Sequence, residues 1–143
     1  MMSEENQLPD WLYQGKPLEE IPKGVESFVY LLTSRATGRQ YVGKKLFYFS
    51  KTKQVKGKKK KVKAESDWRT YCSSSLEIQE LVKAGEVFDR EILHLCVSKG
   101  GANYLEAREQ MDRRVLEHPD RFFNGQIMCR IAKNHIKFYQ PCR

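Results

Sequence analysis

The fold is decided by residues 28–45, which read FVYLLTSRATGRQYVGKK. Two short apolar runs, 28–32 and 40–42, are separated by polar residues that contain a Thr-Gly pair. Apolar runs of this length on either side of a glycine-containing turn predict the two antiparallel strands of a hairpin. Each run carries one tyrosine, Tyr30 or Tyr41, and the function of this pair is the first question that the sequence raises.

The two tyrosines have a simple structural interpretation, but their positions also allow them to belong to one site. Tyrosine is common in strands, so a hairpin with two of them needs no special function. Successive strand residues alternate between faces, so Tyr30 shares a face with Phe28, and Tyr41 can face the same side across the hairpin. Gly43, which follows the second run, either lets the chain bend or lets a phosphate approach the backbone closely.

The length and composition indicate a globular domain. The chain has 143 residues, of which 40% are hydrophobic and 31% charged. No apolar run is long enough to span a bilayer, and the start MMSEENQLPDW is unlike a signal peptide, so we expect no membrane partner and a cytoplasmic location. Residues 1–26, with three prolines, are expected to form an extension anchored by residues 11–13, and residues 27–143 the main domain.

The positive charge is concentrated in one segment. Residues 51–63, KTKQVKGKKKKVK, carry eight lysines and no acid, while the whole chain has a net charge of +8. Lysine ammonium groups suit non-specific contact with phosphates. A solvated loop or a localisation signal is the alternative. Val55 and Val62 lie on either side of Gly57, which predicts two short strands joined by a basic tip. The residues expected to bind nucleic acid are Lys44, Lys56, Lys58, Lys59, Lys60, Lys61 and Lys63.

A helix and a third strand are expected after this lysine-rich insertion. Ser74 followed by Glu77 is the pattern of a capping box and predicts a helix over residues 76–84. The apolar run at 87–96 predicts a strand that ends in Cys96, a small core residue. None of the four cysteines and three histidines has the spacing of a zinc site, so we expect reduced thiols.

Two further helices are expected in the last third of the chain. The glycine-containing residues 99–101 are expected to break the chain, and Asn103 to cap a helix that ends before Pro119. Residues 127–138 predict a short last helix. The resulting fold class is α+β, with a small three-stranded antiparallel sheet flanked by helices.

The order of these segments resembles the GIY-YIG nuclease family, and most closely its phage-encoded, homing-type branch. FVY and YVG resemble the two tyrosine-bearing strands, and residues 73–96 resemble the helix, turn and third strand that follow. The segment EAREQMDRRVL is similar to the family's glutamate-bearing helix, and FFNG to its terminal asparagine element. The resemblance covers about residues 28–126.

The resemblance implies a DNA endonuclease that uses Mg²⁺ or Mn²⁺ to hydrolyse phosphodiester bonds. In such enzymes a strand tyrosine prepares the attacking water, a basic side chain stabilises the transition state, and a helix glutamate binds the metal. The matching residues here are Tyr30, Tyr41, Glu109 and Asn124. No arginine follows the second tyrosine closely, so either Lys45 or Arg69 takes the basic role, and Tyr71 stands where relatives carry a histidine.

The helix offers two glutamates for the metal. Glu106 is three residues after Asn103, where capping explains it fully. Glu109 lies at the edge of the expected apolar stripe, and the REQ match agrees with it, so Glu109 is the predicted metal ligand. An ion pair with Arg108 or Arg113 is the alternative for Glu109. Asn124 likewise has a turn role as its alternative, because Asn-Gly is a common turn pair.

Three functions are therefore compatible with the sequence. The first is a divalent-metal-dependent DNA endonuclease. The second is a catalytically inactive nucleic-acid-binding module that retains the nuclease fold, which the absence of a matching arginine favours. The third is a basic protein that scaffolds other proteins. DNA is the expected partner, and the alternatives of a monomer and a homodimer stay open.

Overall fold

The computed structural model describes residues 8–130 and 132–139. Its strands are β1 Trp11–Tyr13, β2 Lys16–Pro17, β3 Ser27–Ser34, β4 Gln40–Leu46, β5 Tyr48–Val55, β6 Lys58–Glu65 and β7 Phe88–Cys96. The helices are α1 Leu76–Lys83 and α2 Lys99–Asp112, and the short 3₁₀ turns are Val115–Glu117 and Lys133–His135. The α+β class is confirmed.

The predicted hairpin is confirmed as β3 and β4, which pair in antiparallel fashion. Tyr30 lies opposite Gly43, and Leu32 lies opposite Tyr41, so both tyrosines are on one face of the sheet. β3 also pairs with β7, and seven of its eight residues are buried. The hairpin therefore combines the central strand β3 with β4, which lies at the edge of the sheet.

The prediction of a three-stranded antiparallel sheet is wrong. The main sheet has five strands in the order β2-β1-β7-β3-β4, and β1 runs parallel to β7. The additional strands come from the region expected to be an extension, where Trp11 is buried and its indole nitrogen donates to the carbonyl of Trp68 at 2.7 Å. The burial of this large aromatic side chain holds the first strand against the sheet.

The second sheet is the basic hairpin formed by β5 and β6, which confirms the two strands predicted around Gly57. Lys56 and Gly57 form its turn, with φ angles of +51° and +77°. Two successive residues with positive φ are typical of the tight turns that join antiparallel strands. This turn places the lysine-rich tip at the end of the hairpin.

Helix α1 is confirmed, with Ser75 as its N-cap where Ser74 was predicted. Helix α2 begins at Lys99, and its N-cap is Ser98, so the predicted start at Asn103 is wrong. Gly100 lies within the helix. A Cβ built there would come within 2.5 Å of the ring of His135, so a glycine leaves room for that ring. The helix ends at Asp112, so it also stops earlier than predicted.

The predicted last helix over 127–138 is wrong for the described residues. Residues 127–130 have no regular secondary structure, and residues 132–138 contain only the short 3₁₀ turn and an isolated bridge to Cys96. Residue 131 lies outside the described residues, as does Cys142. Within the described part of the chain no helix is both long and apolar enough to cross a membrane.

Two apolar clusters cover the two faces of the main sheet. One cluster is aromatic and includes Trp11, Phe28, Tyr30, Phe47 and Trp68. The other lies between the sheet and α2 and is mainly aliphatic. Because β4 is an edge strand, its outer side is available to the residues that follow α2, and a parallel bridge joins Gln40 to Phe122 there.

Candidate active site

A cavity of about 500 Å³ lies at the outer edge of β4. Elements that are distant in sequence bring polar side chains into it: β4, the loop before α1, helix α2 and the segment after residue 122. The side chains that matter for its chemistry are Tyr41, Lys44, Ser74, Glu106, Gln110 and Asn124. The cavity therefore contains a phenol, an ammonium group, a carboxylate and two amides.

Asn124 binds the backbone of Val42 with its whole amide group. Its Nδ2 donates to the carbonyl oxygen of Val42 at 2.8 Å, and the Val42 N–H donates to Oδ1 at 3.0 Å. The side chain thus completes the hydrogen bonding of the edge strand in the place of a further strand. Since Asn124 is buried and both ends of its amide are bound, its geometry is that of a positioning residue.

Gln110 reaches the same carbonyl from α2. Its Nε2 donates to the oxygen of Val42 at 3.1 Å. Its Oε1 is buried and has no hydrogen-bond partner among the residues that the structure describes, and the side chain lines the cavity. A buried acceptor without a partner is costly, so this oxygen is suited to a ligand or a water that enters the cavity.

Glu106 lines this cavity. Since α2 begins before Asn103, residue 106 lies in the body of the helix and not at its N-terminal cap. The capping role expected for Glu106 is therefore wrong. Its Oε1 lies 3.4 Å from Nζ of Lys44, and its side chain is only 13% exposed. Burial raises the pKa of Glu106, and the ammonium group of Lys44 opposes part of this shift.

Glu109 lies away from the cavity, on the side of α2 that faces β7. Its Oε2 is 2.7 Å from Nε2 of His94, and its Oε1 accepts from Nε of Arg113 at 3.0 Å. Burial alone would raise the pKa of Glu109, but the hydrogen bonds from His94 and Arg113 together lower it. The ion pair with Arg113, the alternative considered for Glu109, is present.

The two tyrosines occupy different environments. Tyr41 lines the cavity, and its hydroxyl oxygen lies 3.5 Å from Oγ of Ser74. Tyr30 is completely buried, and its hydroxyl donates to that of Tyr71 at 3.5 Å. Burial raises the pKa of Tyr30 well above the usual range, and the neighbouring phenols raise it further. The structure therefore gives solvent access to Tyr41 alone of the predicted pair.

Neither candidate for the family's basic residue lines the cavity. Nζ of Lys45 lies 2.6 Å from Asp67 and 4.2 Å from the ring centre of Tyr71. Arg69 binds the carboxylate of Glu65 and donates to a backbone carbonyl. The cation that the fold brings to the cavity is Lys44, which was expected only to bind nucleic acid.

Strand alternation is the signal that could have selected Lys44. It lies two residues after Val42, on the face of β4 that packs against α2, whereas Lys45 points to the aromatic face. Selecting Lys44 over Lys45 requires knowledge of where α2 packs against the sheet. No short segment of the sequence gives that position.

The lysines of the second sheet are separate from the cavity. Of those expected to bind nucleic acid, Lys56, Lys58, Lys59, Lys60, Lys61 and Lys63 are exposed. Lys63 also lies 2.5 Å from a carboxylate oxygen of Glu26, which ties the base of the hairpin to the main domain. The remaining lysines of this set therefore form a basic surface around the tip.

The tyrosine-bearing edge hairpin beside a carboxylate-bearing helix agrees with the resemblance of the sequence to the GIY-YIG class of domain. Residues 11–127 match a family model described as "Putative endonuclease segE, GIY-YIG domain". The chain belongs to this SegE family, as the match spans most of its length. The match also includes β1 and β2, which lie before the region of the sequence resemblance. The search of curated proteins gave no match, and neither did that of solved structures.

Proposed function

We propose that this protein is a divalent-metal-dependent DNA endonuclease, and that the cavity at the edge of β4 is its active site. The observation that carries the proposal is the convergence of Tyr41, Lys44 and Glu106 on one cavity. A phosphodiester resists attack because its own negative charge repels the nucleophile. A site with a cation, a metal-binding carboxylate and a group that handles a proton supplies what this reaction needs.

The residues of the cavity fit a hard divalent cation. Mg²⁺ prefers oxygen ligands and is usually bound by one or two carboxylates together with substrate phosphates and waters. Glu106 offers one carboxylate, and the unpartnered Oε1 of Gln110 offers a second oxygen to the ion or to its water. Among the described residues no group of three or more acidic, histidine or cysteine side chains could hold a metal, so DNA would complete the site.

When bound, the cation would supply positive charge to the non-bridging phosphate oxygens. The protein's own contribution to the same charge is Lys44. Its ammonium group lies 3.4 Å from Glu106 and its side chain is 36% exposed, so it can turn from the carboxylate to an incoming phosphate. Lys44 thus takes the basic role that was expected of Lys45 or Arg69.

The role assigned to Tyr41 is to orient and deprotonate the attacking water. Its hydroxyl group lines the cavity that contains Lys44 and Glu106, and Ser74 holds it at the rim. In its phenolate form, this oxygen can orient a water and accept its proton, which leaves a neutral phenol and a hydroxide that attacks the phosphorus. Tyr30 has a supporting role, because its ring lies against that of Tyr41 with 6.3 Å between the ring centres, while its own hydroxyl is buried.

Asn124 and Gln110 are positioning residues in this proposal. Both donate to the carbonyl of Val42, the residue between Tyr41 and Gly43. Fixing this carbonyl fixes the backbone from which Tyr41, the preceding residue, and Lys44, two residues further on, extend their side chains. The lysines of the second sheet supply affinity for the phosphate backbone of DNA.

Incubation of purified protein with supercoiled plasmid tests the proposal. We expect nicked or linear products with Mg²⁺ or Mn²⁺ and none with EDTA. Glu106→Gln should lose this cleavage while it still binds DNA in EDTA. A wild-type protein that binds DNA but leaves the plasmid intact with both metals would overturn the endonuclease proposal and favour the binding module.

A further inference from the structure

A second, smaller cleft lies next to the active-site cavity. Its volume is about 220 Å³, and it lies between the base of β5 and the start of α2. Lys44 lines both this cleft and the active-site cavity, so the two are neighbours along β4. The cleft is further lined by Ser27, Lys45, Leu46, Phe49, Lys99 and Ala102.

The charge of the cleft is entirely positive. Three lysines from β4 and α2 line it, and none of the described residues that line it is acidic. Lys44 and Lys45 each have a carboxylate partner elsewhere, whereas no ion pair of Lys99 occurs within the described residues. Lys99 is also the first residue of α2, whose first turn contains no acidic residue. A cation at that end is unfavourable for the helix itself, so helix stability does not explain Lys99.

The floor of the cleft is apolar. Phe49 is 39% exposed there, and its ring centre lies 5.0 Å from Nζ of Lys45. Leu46 and Ala102 complete the apolar wall. An inorganic anion has no apolar surface to bury against such a wall. A nucleotide, in contrast, presents a phosphate on one side and the apolar edge of its sugar on the other. The volume is below the roughly 300–1,000 Å³ of pockets for drug-sized ligands, which suits one sugar–phosphate unit.

We infer that this cleft binds the nucleotide adjacent to the scissile phosphodiester, with its phosphate at Lys99 and its deoxyribose against Phe49. The inference rests on the proposed function, because the active-site cavity defines which bond is cut. Since the cleft lies between that cavity and the base of β5, the DNA strand leaves the active site toward the basic hairpin. Binding energy on this one side of the cut then positions the scissile bond.

End-labelled DNA duplexes that carry one neutral methylphosphonate linkage test the inference. For wild-type protein, we expect several-fold slower cleavage of the bond next to the neutral linkage on one side of the cut only. Lys99→Gln should slow cleavage of ordinary DNA and should no longer respond to that linkage. Lys16→Gln, at the opposite edge of the sheet, is the matched control and should behave as wild type.

The apolar floor has its own variant and control. Phe49→Ala should raise KM with little change in kcat, and it should leave the salt dependence of DNA binding unaltered. Leu12→Ala, which removes a side chain of similar exposure on β1, should change neither. Equal responses of Lys99→Gln and Lys16→Gln to the neutral linkage would overturn the inference, as would an unchanged KM in Phe49→Ala.

The nucleotide cleft can be tested even if the proposed endonuclease function fails. If wild-type protein cut no DNA with either metal, the cleft would be tested by binding in EDTA at increasing salt concentration. Removal of one lysine–phosphate ion pair should reduce the slope of log K against log salt by about 0.9. An unchanged slope in Lys99→Gln would overturn the cleft as a nucleotide site even then.

Discussion

The phenol ring of Tyr30 lies over the backbone of Gly43, its partner across the β3–β4 hairpin. A Cβ at residue 43 would come within 2.5 Å of both Cζ and the hydroxyl oxygen of Tyr30, and within 2.9 Å of the Tyr41 ring. Gly43 does not have the positive φ that favours glycine. Space for the first tyrosine therefore explains the glycine after the second tyrosine, and a bend is not needed to explain it.

The first prediction follows from this close approach. Gly43→Ala should lower the free energy of unfolding by about 1–3 kcal/mol, because the buried ring of Tyr30 has little room to move. Chemical denaturation measures this difference. Gly125→Ala is the control, since no atom lies within 4 Å of a Cβ built there and the loss should be small. Equal stabilities of Gly43→Ala and wild type would contradict the steric explanation.

The second prediction concerns the two glutamates of α2. Glu106→Gln should abolish plasmid cleavage, because it removes the carboxylate from the active-site cavity. Glu109→Gln should retain cleavage at a temperature where the variant is folded, because Glu109 binds His94 and Arg113 outside the cavity. Gel assays with Mg²⁺ measure both. Loss of cleavage in a folded Glu109→Gln together with full activity of Glu106→Gln would reverse the assignment.

Stability provides the control for these two variants. Glu109→Gln should lose about 1–3 kcal/mol at neutral pH, since a charged hydrogen-bonding group disappears. The pKa of Glu109 is lowered in the folded protein, so its contribution is complete above the ordinary glutamate pKa of about 4.3. The contribution is lost as the pH falls through the lowered pKa. The difference between wild type and variant should therefore shrink on acidification.

The third prediction distinguishes the role of Tyr41 in the reaction from the role of Tyr30 in stability. Tyr41→Phe should reduce the cleavage rate by about 10²–10⁴-fold, as expected for a positioned proton acceptor, with little change in DNA affinity. Tyr30→Phe removes only a buried hydroxyl bound to Tyr71, so it should cost about 0.5–1.5 kcal/mol of stability and little of the rate. Single-turnover kinetics distinguish the two effects. If Tyr30→Phe lost the larger part of the rate, the buried phenol would be the catalytic one.

The fourth prediction concerns Lys44 and the pH dependence of metal binding. A carboxylate must be ionised to bind a metal, so Mn²⁺ affinity should fall as the pH falls through the raised pKa of Glu106. Lys44 lowers this pKa, so Lys44→Met should move the midpoint of that fall to higher pH. Calorimetric titration with Mn²⁺ across the acidic range measures the midpoint. Lys45→Met is the control, because its ammonium group binds Asp67, and its midpoint should equal that of wild type.

The fifth prediction concerns the basic hairpin. Replacement of residues 58–61 by glutamine removes four exposed lysines. If these lysines bind phosphates, the slope of log K against log salt should fall by about 0.9 for each phosphate that is no longer neutralised. The cleavage rate at saturating DNA should change little, because no side chain of the active-site cavity is altered. An unchanged slope would show that the lysines remain solvated and contribute nothing to binding.

Several elements were predictable because their signals are local. The β3–β4 hairpin follows from two apolar runs and a turn, α1 from a serine cap, and the β5–β6 hairpin from Gly57 between two valines. Strand alternation also predicted that Tyr30 and Tyr41 share a face. Each of these signals lies within a few residues of the element that it specifies, so no distant contact is needed to recognise it.

The carboxylate that lines the cavity was not predictable in this way. Glu106 was set aside because a start of α2 at Asn103 gave it a capping role, but Ser98 caps the helix and the ring of His135 packs against Gly100. Gly100, which signals a break in the sequence, instead leaves room for the ring of His135 inside the helix. β1 was missed for a related reason, since the hydrogen bond between Trp11 and Trp68 joins residues far apart in sequence.

The sequence by itself determined the family, the α+β class and the pairing of the two tyrosine-bearing strands, because each depends on residue order and short-range periodicity. Only the tertiary structure decided which side chains meet. It buried Tyr30 and left Tyr41 at the cavity, and it placed Lys44 and Glu106 at the cavity but Lys45 and Glu109 away from it. The physical reason is that each placement depends on the face a side chain presents, and that face is fixed by the packing of α2 and residues 122–130 and 132–139 against the sheet.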